Sequence, residues 1–113
     1  MTRLTPVLLL LAAAVTRVSA EDWPQFRGPT GEGHATERGL PLEWSESRNI
    51  LWNVPFPGTG WTSPVVAGGK VWHTSAIESK KGRRINASLR ALAFDVESGR
   101  EVVNVEVFKI RDV

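Results

Sequence analysis

The chain has 113 residues with 14 basic and 12 acidic side chains, so it is long enough for one small domain and carries little net charge. Residues 1–20 contain Arg3 and Arg17 and no acidic residue, so residues 21–113 carry 12 basic and 12 acidic side chains and are electrically balanced. This charge balance gives no support for a nucleic-acid partner. The absence of cysteine excludes disulfides, thiolate metal sites and a lipid-modified N-terminal cysteine.

The first 20 residues have the pattern of a secretory signal peptide. Arg3 gives a basic start, residues 6–15 form an apolar run, and Val18 and Ala20 occupy the positions that a signal peptidase reads. The run is shorter than the roughly 20 apolar residues of a membrane span. We therefore expect cleavage after Ala20, a periplasmic or secreted location, and no membrane partner after cleavage.

Residues 21–48 contain too many glycines and prolines for a helix or an interior strand. We expect an extended arm that fixes Trp23, Phe26 and Trp44 onto a larger body. A ligand loop built from glycines is the alternative. The phosphate-loop pattern fails, however, because Gly69-Lys70 is followed by Val71 rather than by serine or threonine.

Five segments have the composition of β-strands. Residues 49–56 form a strand candidate that Pro55 would end or confine to a sheet edge. Four further strands are predicted at residues 62–67, 70–76, 89–95 and 100–108. Gly68-Gly69 suits a two-residue hairpin turn, which needs positive φ at both positions. The predicted fold is thus all-β, a four-stranded antiparallel meander with an N-terminal strand and an extended arm.

The last predicted strand alternates, with Val103, Val105 and Val107 on one face and Asn104 and Phe108 on the other. Such alternation predicts an outer strand that is partly exposed to water. The second predicted strand is partly apolar on both faces, which is typical of a sheet stacked between neighbouring sheets. In the third, the small side chains of Ala91 and Ala93 would let a neighbouring sheet approach closely.

Residues 95–99 give the sharpest local signal. Asp95 can accept hydrogen bonds from backbone N–H groups further round a turn, and Gly99 can take the left-handed conformation that closes it. A catalytic role for Asp95 is the alternative, and no base, nucleophile or metal partner accompanies it in the sequence. We therefore interpret Asp95 as a turn residue.

A basic cluster, Lys80-Lys81-Gly82-Arg83-Arg84, lies between the second and third predicted strands. Residues 78–87 are predicted to form a solvated loop. An anion-binding or nucleic-acid patch is the alternative, weakened because no aromatic side chains are interleaved with the charges. The two histidines, His34 and His73, do not have the spacing of metal ligands.

The residues from Ser63 to Trp72, and again from Ala91 to Arg100, resemble the pyrroloquinoline-quinone (PQQ) propeller repeat. The opening at residues 22–29 is similar to the start of exported bacterial proteins built from such repeats. Asn104 departs from the repeat, which commonly has a tryptophan near this position, whereas Trp52 and its neighbours look like an outer strand. The resemblance implies that residues 49–113 form the first blade and the closing strand of an incomplete β-propeller.

The resemblance implies structural roles for Trp52, Gly69, Asp95 and Gly99, and it assigns no catalytic, cofactor-binding or metal residue. Its partners would be neighbouring propeller blades or another protein. A non-catalytic binding or scaffolding module, similar in fold to the BamB-type outer-membrane assembly factors, is the favoured interpretation. The alternative is part of a PQQ-dependent dehydrogenase, and only this alternative implies PQQ and calcium.

Overall fold

The computed structural model describes residues 21–111, so the predicted signal peptide at residues 1–20 lies outside the described residues. The described part is all-β, and its strands are β1 (Val65–Ala67), β2 (Lys70–Lys81), β3 (Arg84–Asp95) and β4 (Glu101–Ile110). They form one antiparallel sheet in chain order, which confirms the predicted four-stranded meander. Within these residues no helix has the length and apolarity needed to cross a bilayer.

The turn between β1 and β2 has the predicted geometry. Gly68 and Gly69 have φ values of 58° and 70°, as a primed hairpin turn requires. A Cβ atom at either position would meet no neighbouring atom within 4 Å. Backbone conformation, rather than packing, is therefore what demands glycine here.

The prediction of a loop at residues 78–87 is wrong, because β2 and β3 continue through this segment. Their ladder runs without interruption from the pair Lys70–Asp95 to the pair Lys81–Arg84. Gly82 has a φ of 65° at the first central position of the connecting turn, which suits a two-residue hairpin. Cross-strand pairing thus overrides the weak strand propensity of the basic residues.

Two irregularities in β4 change the faces predicted for its side chains. Leu89 pairs with Phe108 while Arg90 pairs with Glu106, so Val107 is an extra residue. At a second irregularity Ala93 pairs with Val103 while Phe94 pairs with Glu101, so Val102 is also an extra residue. As a result Phe108 lies on the same face as Val103 and Val105, whereas strict alternation placed it on the opposite one.

The strand predicted at residues 49–56 is not formed. Residues 50–56 belong to no strand, although Ser45 and Arg48 form an isolated bridge just before them. In the arm, the backbone of Trp23 pairs with that of Val66 through hydrogen bonds of 2.8 and 2.9 Å. Phe26 and Trp44 are mostly exposed.

Candidate functional site

The two faces of the sheet differ, and we name them for that difference. Antiparallel partners share a face, so the register places Val71, His73, Ser75, Leu92 and Phe94 together. We call this the covered face, because residues 52–60 pack on it. The opposite side, which we call the open face, carries the following residues: Trp72, Thr74, Ala76, Leu89, Ala91, Val103, Val105, Phe108 and Ile110.

Residues 52–60 attach to the covered face by backbone and ring contacts. Thr59 and Ala76 exchange two backbone hydrogen bonds of 3.0 and 2.8 Å. The hydroxyl of Ser75 donates to the carbonyl oxygen of Pro57, and the Phe56 ring lies 4.7 Å from that of His73, centroid to centroid. The segment therefore acts as a lid over this half of the sheet, even though it is not a strand.

The lid approaches β2 closely at a glycine. A Cβ atom at Gly60 would lie 2.5 Å from the carbonyl oxygen of Thr74, closer than real Cβ contacts allow. Beside it, Nδ1 of His73 is buried without a hydrogen-bond partner in the described part of the chain. The core beneath consists of Leu92 and Phe94, which are 0% and 7% exposed.

The four residues expected to have structural roles meet at one end of the sheet, around the backbone of Val96. The indole Nε1 of Trp52 donates to the carbonyl oxygen of Val96 over 2.9 Å, and the N–H of Val96 donates to the carbonyl oxygen of Gly69 over 3.0 Å. Gly99 has a φ of 70°, and its missing Cβ would lie 2.7 Å from the Trp52 ring.

Asp95 closes this turn with its side chain. Its Oδ1 accepts hydrogen bonds from the Ser98 hydroxyl at 2.7 Å and from the Ser98 N–H at 2.8 Å. These bonds favour the charged carboxylate, so the side-chain hydrogen bond from Ser98, followed by the backbone one, lowers the pKa of Asp95. The carboxylate is thus committed to the turn.

On β4 the covered face becomes polar. Arg90 Nε donates to Asn104 Oδ1 over 2.6 Å, and the Ser88 hydroxyl donates to Glu106 Oε2 over 2.6 Å. The hydrogen bond from Ser88 lowers the pKa of Glu106. The side chains of this row are thus already hydrogen-bonded to one another.

Among residues 21–111 the open face has no cover comparable to the lid, and its side chains are mostly apolar. Trp61 is 99% exposed and Phe108 is 66% exposed. These two side chains border a cleft of about 360 Å³ that also contacts Ala76, Leu89 and Val107. Exposed apolar surface of this kind marks interaction sites in soluble proteins. The open face, with Trp61 beside it, is therefore the candidate functional site.

This site was only partly predictable from the sequence. The small side chains of β3 were expected to admit a neighbouring sheet. The placement of Phe108 depends on the extra residue Val107, for which the sequence contains no signal. Trp61 stands in a loop and belongs to no periodic pattern. Among residues 21–111, no three potential ligands from histidine and the acids come together as a metal site.

Neither a family model, nor a curated protein, nor a solved structure matches the chain.

Proposed function

We propose that the chain is an exported segment of a PQQ-repeat β-propeller, a non-catalytic binding or scaffolding module whose open face stacks against a neighbouring blade or another protein. The observation that carries the proposal is the contrast between a lid-covered face and a bare apolar one. In stacked repeat architectures each unit buries its faces against its neighbours. A single unit by itself retains an uncovered face, as this sheet does.

The turn cluster supports the same assignment. Trp52, Gly69, Asp95 and Gly99 are the positions to which the resemblance gives structural roles, and they lie around one turn linked by hydrogen bonds. None of them projects a free reactive group. The arrangement therefore favours scaffolding over catalysis.

The residues present do not fit the calcium site that a PQQ-dependent dehydrogenase would need. Calcium takes six to eight oxygen ligands, and no group of three acidic or histidine side chains forms within the described residues. The Asp95 carboxylate is engaged by Ser98. We assign no catalytic step to the chain.

A photo-cross-linking experiment tests the proposal. The full chain would carry a photoreactive amino acid at position 108 on the open face or, as a matched control, at position 104 on the opposite face of β4. We expect cross-links from position 108 to strand residues of a second PQQ-type sheet, identified by mass spectrometry, and few from position 104. Equal yields from the two positions would contradict stacking on the open face.

A second measurement tests the non-catalytic part of the proposal. The full chain would be mixed with PQQ, calcium and an artificial electron-accepting dye in the presence of alcohols and sugars. We expect no dye reduction above that of a heat-unfolded sample. Reproducible reduction that requires the folded chain would overturn the assignment.

A further inference from the structure

The far end of the β2–β3 hairpin projects from the sheet. On one side, β1 pairs with β2 only as far as Trp72, and the bridge from Thr59 reaches Ala76. On the other side, β4 pairs with β3 only as far as Ala87. Residues 78–86 therefore form a two-stranded extension beside which the described part of the chain places no further strand. We call residues 80–84 the hairpin tip.

The hairpin tip concentrates positive charge. It contains Lys80, Lys81, Arg83 and Arg84, which are four of the twelve basic residues after Ala20 and are all exposed. Lys81 and Arg84 are direct cross-strand partners. Like charges placed directly opposite each other destabilise a pair of strands. Lys80, Lys81 and Arg83 form no ion pair with any described residue. The charges of these three side chains can therefore interact with an anionic surface.

We propose that the hairpin tip docks the protein on the surface of an anionic lipid bilayer. Clusters of four or more basic side chains bind anionic head groups, and each contributes about fivefold in partitioning. A nucleic-acid partner is disfavoured because the tip has no aromatic side chain on which bases could stack. The expectation of no membrane partner rested on the removal of an apolar run that is too short to span a bilayer. Attraction to a bilayer surface depends instead on charge within a Debye length, about 8 Å in physiological salt.

The test is vesicle co-sedimentation of the full chain. Phosphatidylcholine vesicles measure any contribution from the apolar residues 6–15, and vesicles that also contain phosphatidylglycerol measure the contribution of charge. In the tip variant, Lys80, Lys81 and Arg83 are each replaced by serine. In the control variant the same replacement is made at Arg27, Arg38 and Arg100, which are exposed and lie elsewhere.

We expect the tip variant to lose on the order of 100-fold in binding to anionic vesicles, from about fivefold per removed cation, and the control variant to lose far less. Equal losses in the two variants, or equal binding of the wild type to both vesicle types, would overturn the proposal. Wild-type binding to a DNA duplex but not to anionic vesicles would also overturn it.

Two further measurements keep the proposal testable if the triple variant folds poorly. The single variant Lys81→Gln should lose about fivefold and also removes a repulsion, so its fold should be retained by circular dichroism. Wild-type binding to anionic vesicles should fall steeply as salt is added, because the attraction is screened. Salt-independent binding would contradict a charge-based contact.

Discussion

The covered and open faces belong to the same three strands, β2, β3 and β4, yet they differ in what protects them. On the covered face, Trp52 and Phe56 of a lid without strand structure lie beside Phe94, and both Leu92 and Phe94 are buried. On the open face, Val105 and Phe108 are at least half exposed. The difference teaches that strand composition alone does not decide which face becomes a core. The decisive element here is an irregular segment, residues 52–57, that packs its side chains on the covered face.

The largest expected effect comes from breaking the covered face at its centre. Leu92→Ala removes a side chain that is 0% exposed, and we expect it to cost about 3 kcal/mol through lost burial and a residual cavity. Urea unfolding followed by circular dichroism would measure the loss. The matched change on the open face, Val105→Ala, should cost far less because Val105 is 50% exposed. Equal costs would mean that the faces are not different.

The next effect comes from lifting the lid. Gly60→Ala places a methyl group against the Thr74 carbonyl oxygen, and we expect overpacking to cost about 2 kcal/mol. Gly39→Ala is the control, because its Cβ would meet no atom within 4 Å and only backbone strain is added at its φ of 72°. Both variants can be compared by thermal unfolding. A Gly39 variant as unstable as the Gly60 variant would argue against a tight lid.

A smaller effect is expected where the lid begins. Trp52→Phe keeps a ring against Gly99 but removes the Nε1 donor to Val96, and we expect it to cost about 1 kcal/mol. The change also leaves the Val96 carbonyl oxygen without that donor. Trp61→Phe on the exposed side is the control, and its stability should match that of the wild type. Urea unfolding would measure both variants. If the free energy of unfolding depends on urea concentration with the same slope as in the wild type, only stability has changed.

The subtlest test concerns the Asp95 turn and pH. Because the pKa of Asp95 is lowered in the folded chain by the hydrogen bonds from Ser98, its contribution is present above the ordinary aspartate pKa of about 4. That contribution is lost as the pH falls through the lowered folded-state pKa. Unfolding midpoints should be measured from pH 6 to below the ordinary aspartate pKa of about 4. As the pH falls, they should decline less for Asp95→Asn than for the wild type. Parallel declines would contradict the assigned role.

The strand order was predictable from the sequence because turn residues separate the apolar runs. Gly68, Gly69 and Gly99 all have the positive φ that such turns require. The long hairpin was not predictable, since charged residues have low strand propensity and are held there only by their partners across the ladder. The lid was also missed, because residues 49–56 have the composition of a strand that Pro55 would end or confine to a sheet edge, and no sequence pattern indicates a cover packed by side chains.

The two extra residues of β4 have a further consequence. β4 has no strand beside it on its outer side in the described sheet, and unprotected outer strands invite ladder extension by other chains, the route to fibrous aggregates. Val102 and Val107 each break the regular spacing of backbone donors and acceptors there. An incoming strand could form regular backbone hydrogen bonds only with the short stretch between these two residues. The irregularities therefore oppose polymerisation through the edge of β4, while the open face remains accessible.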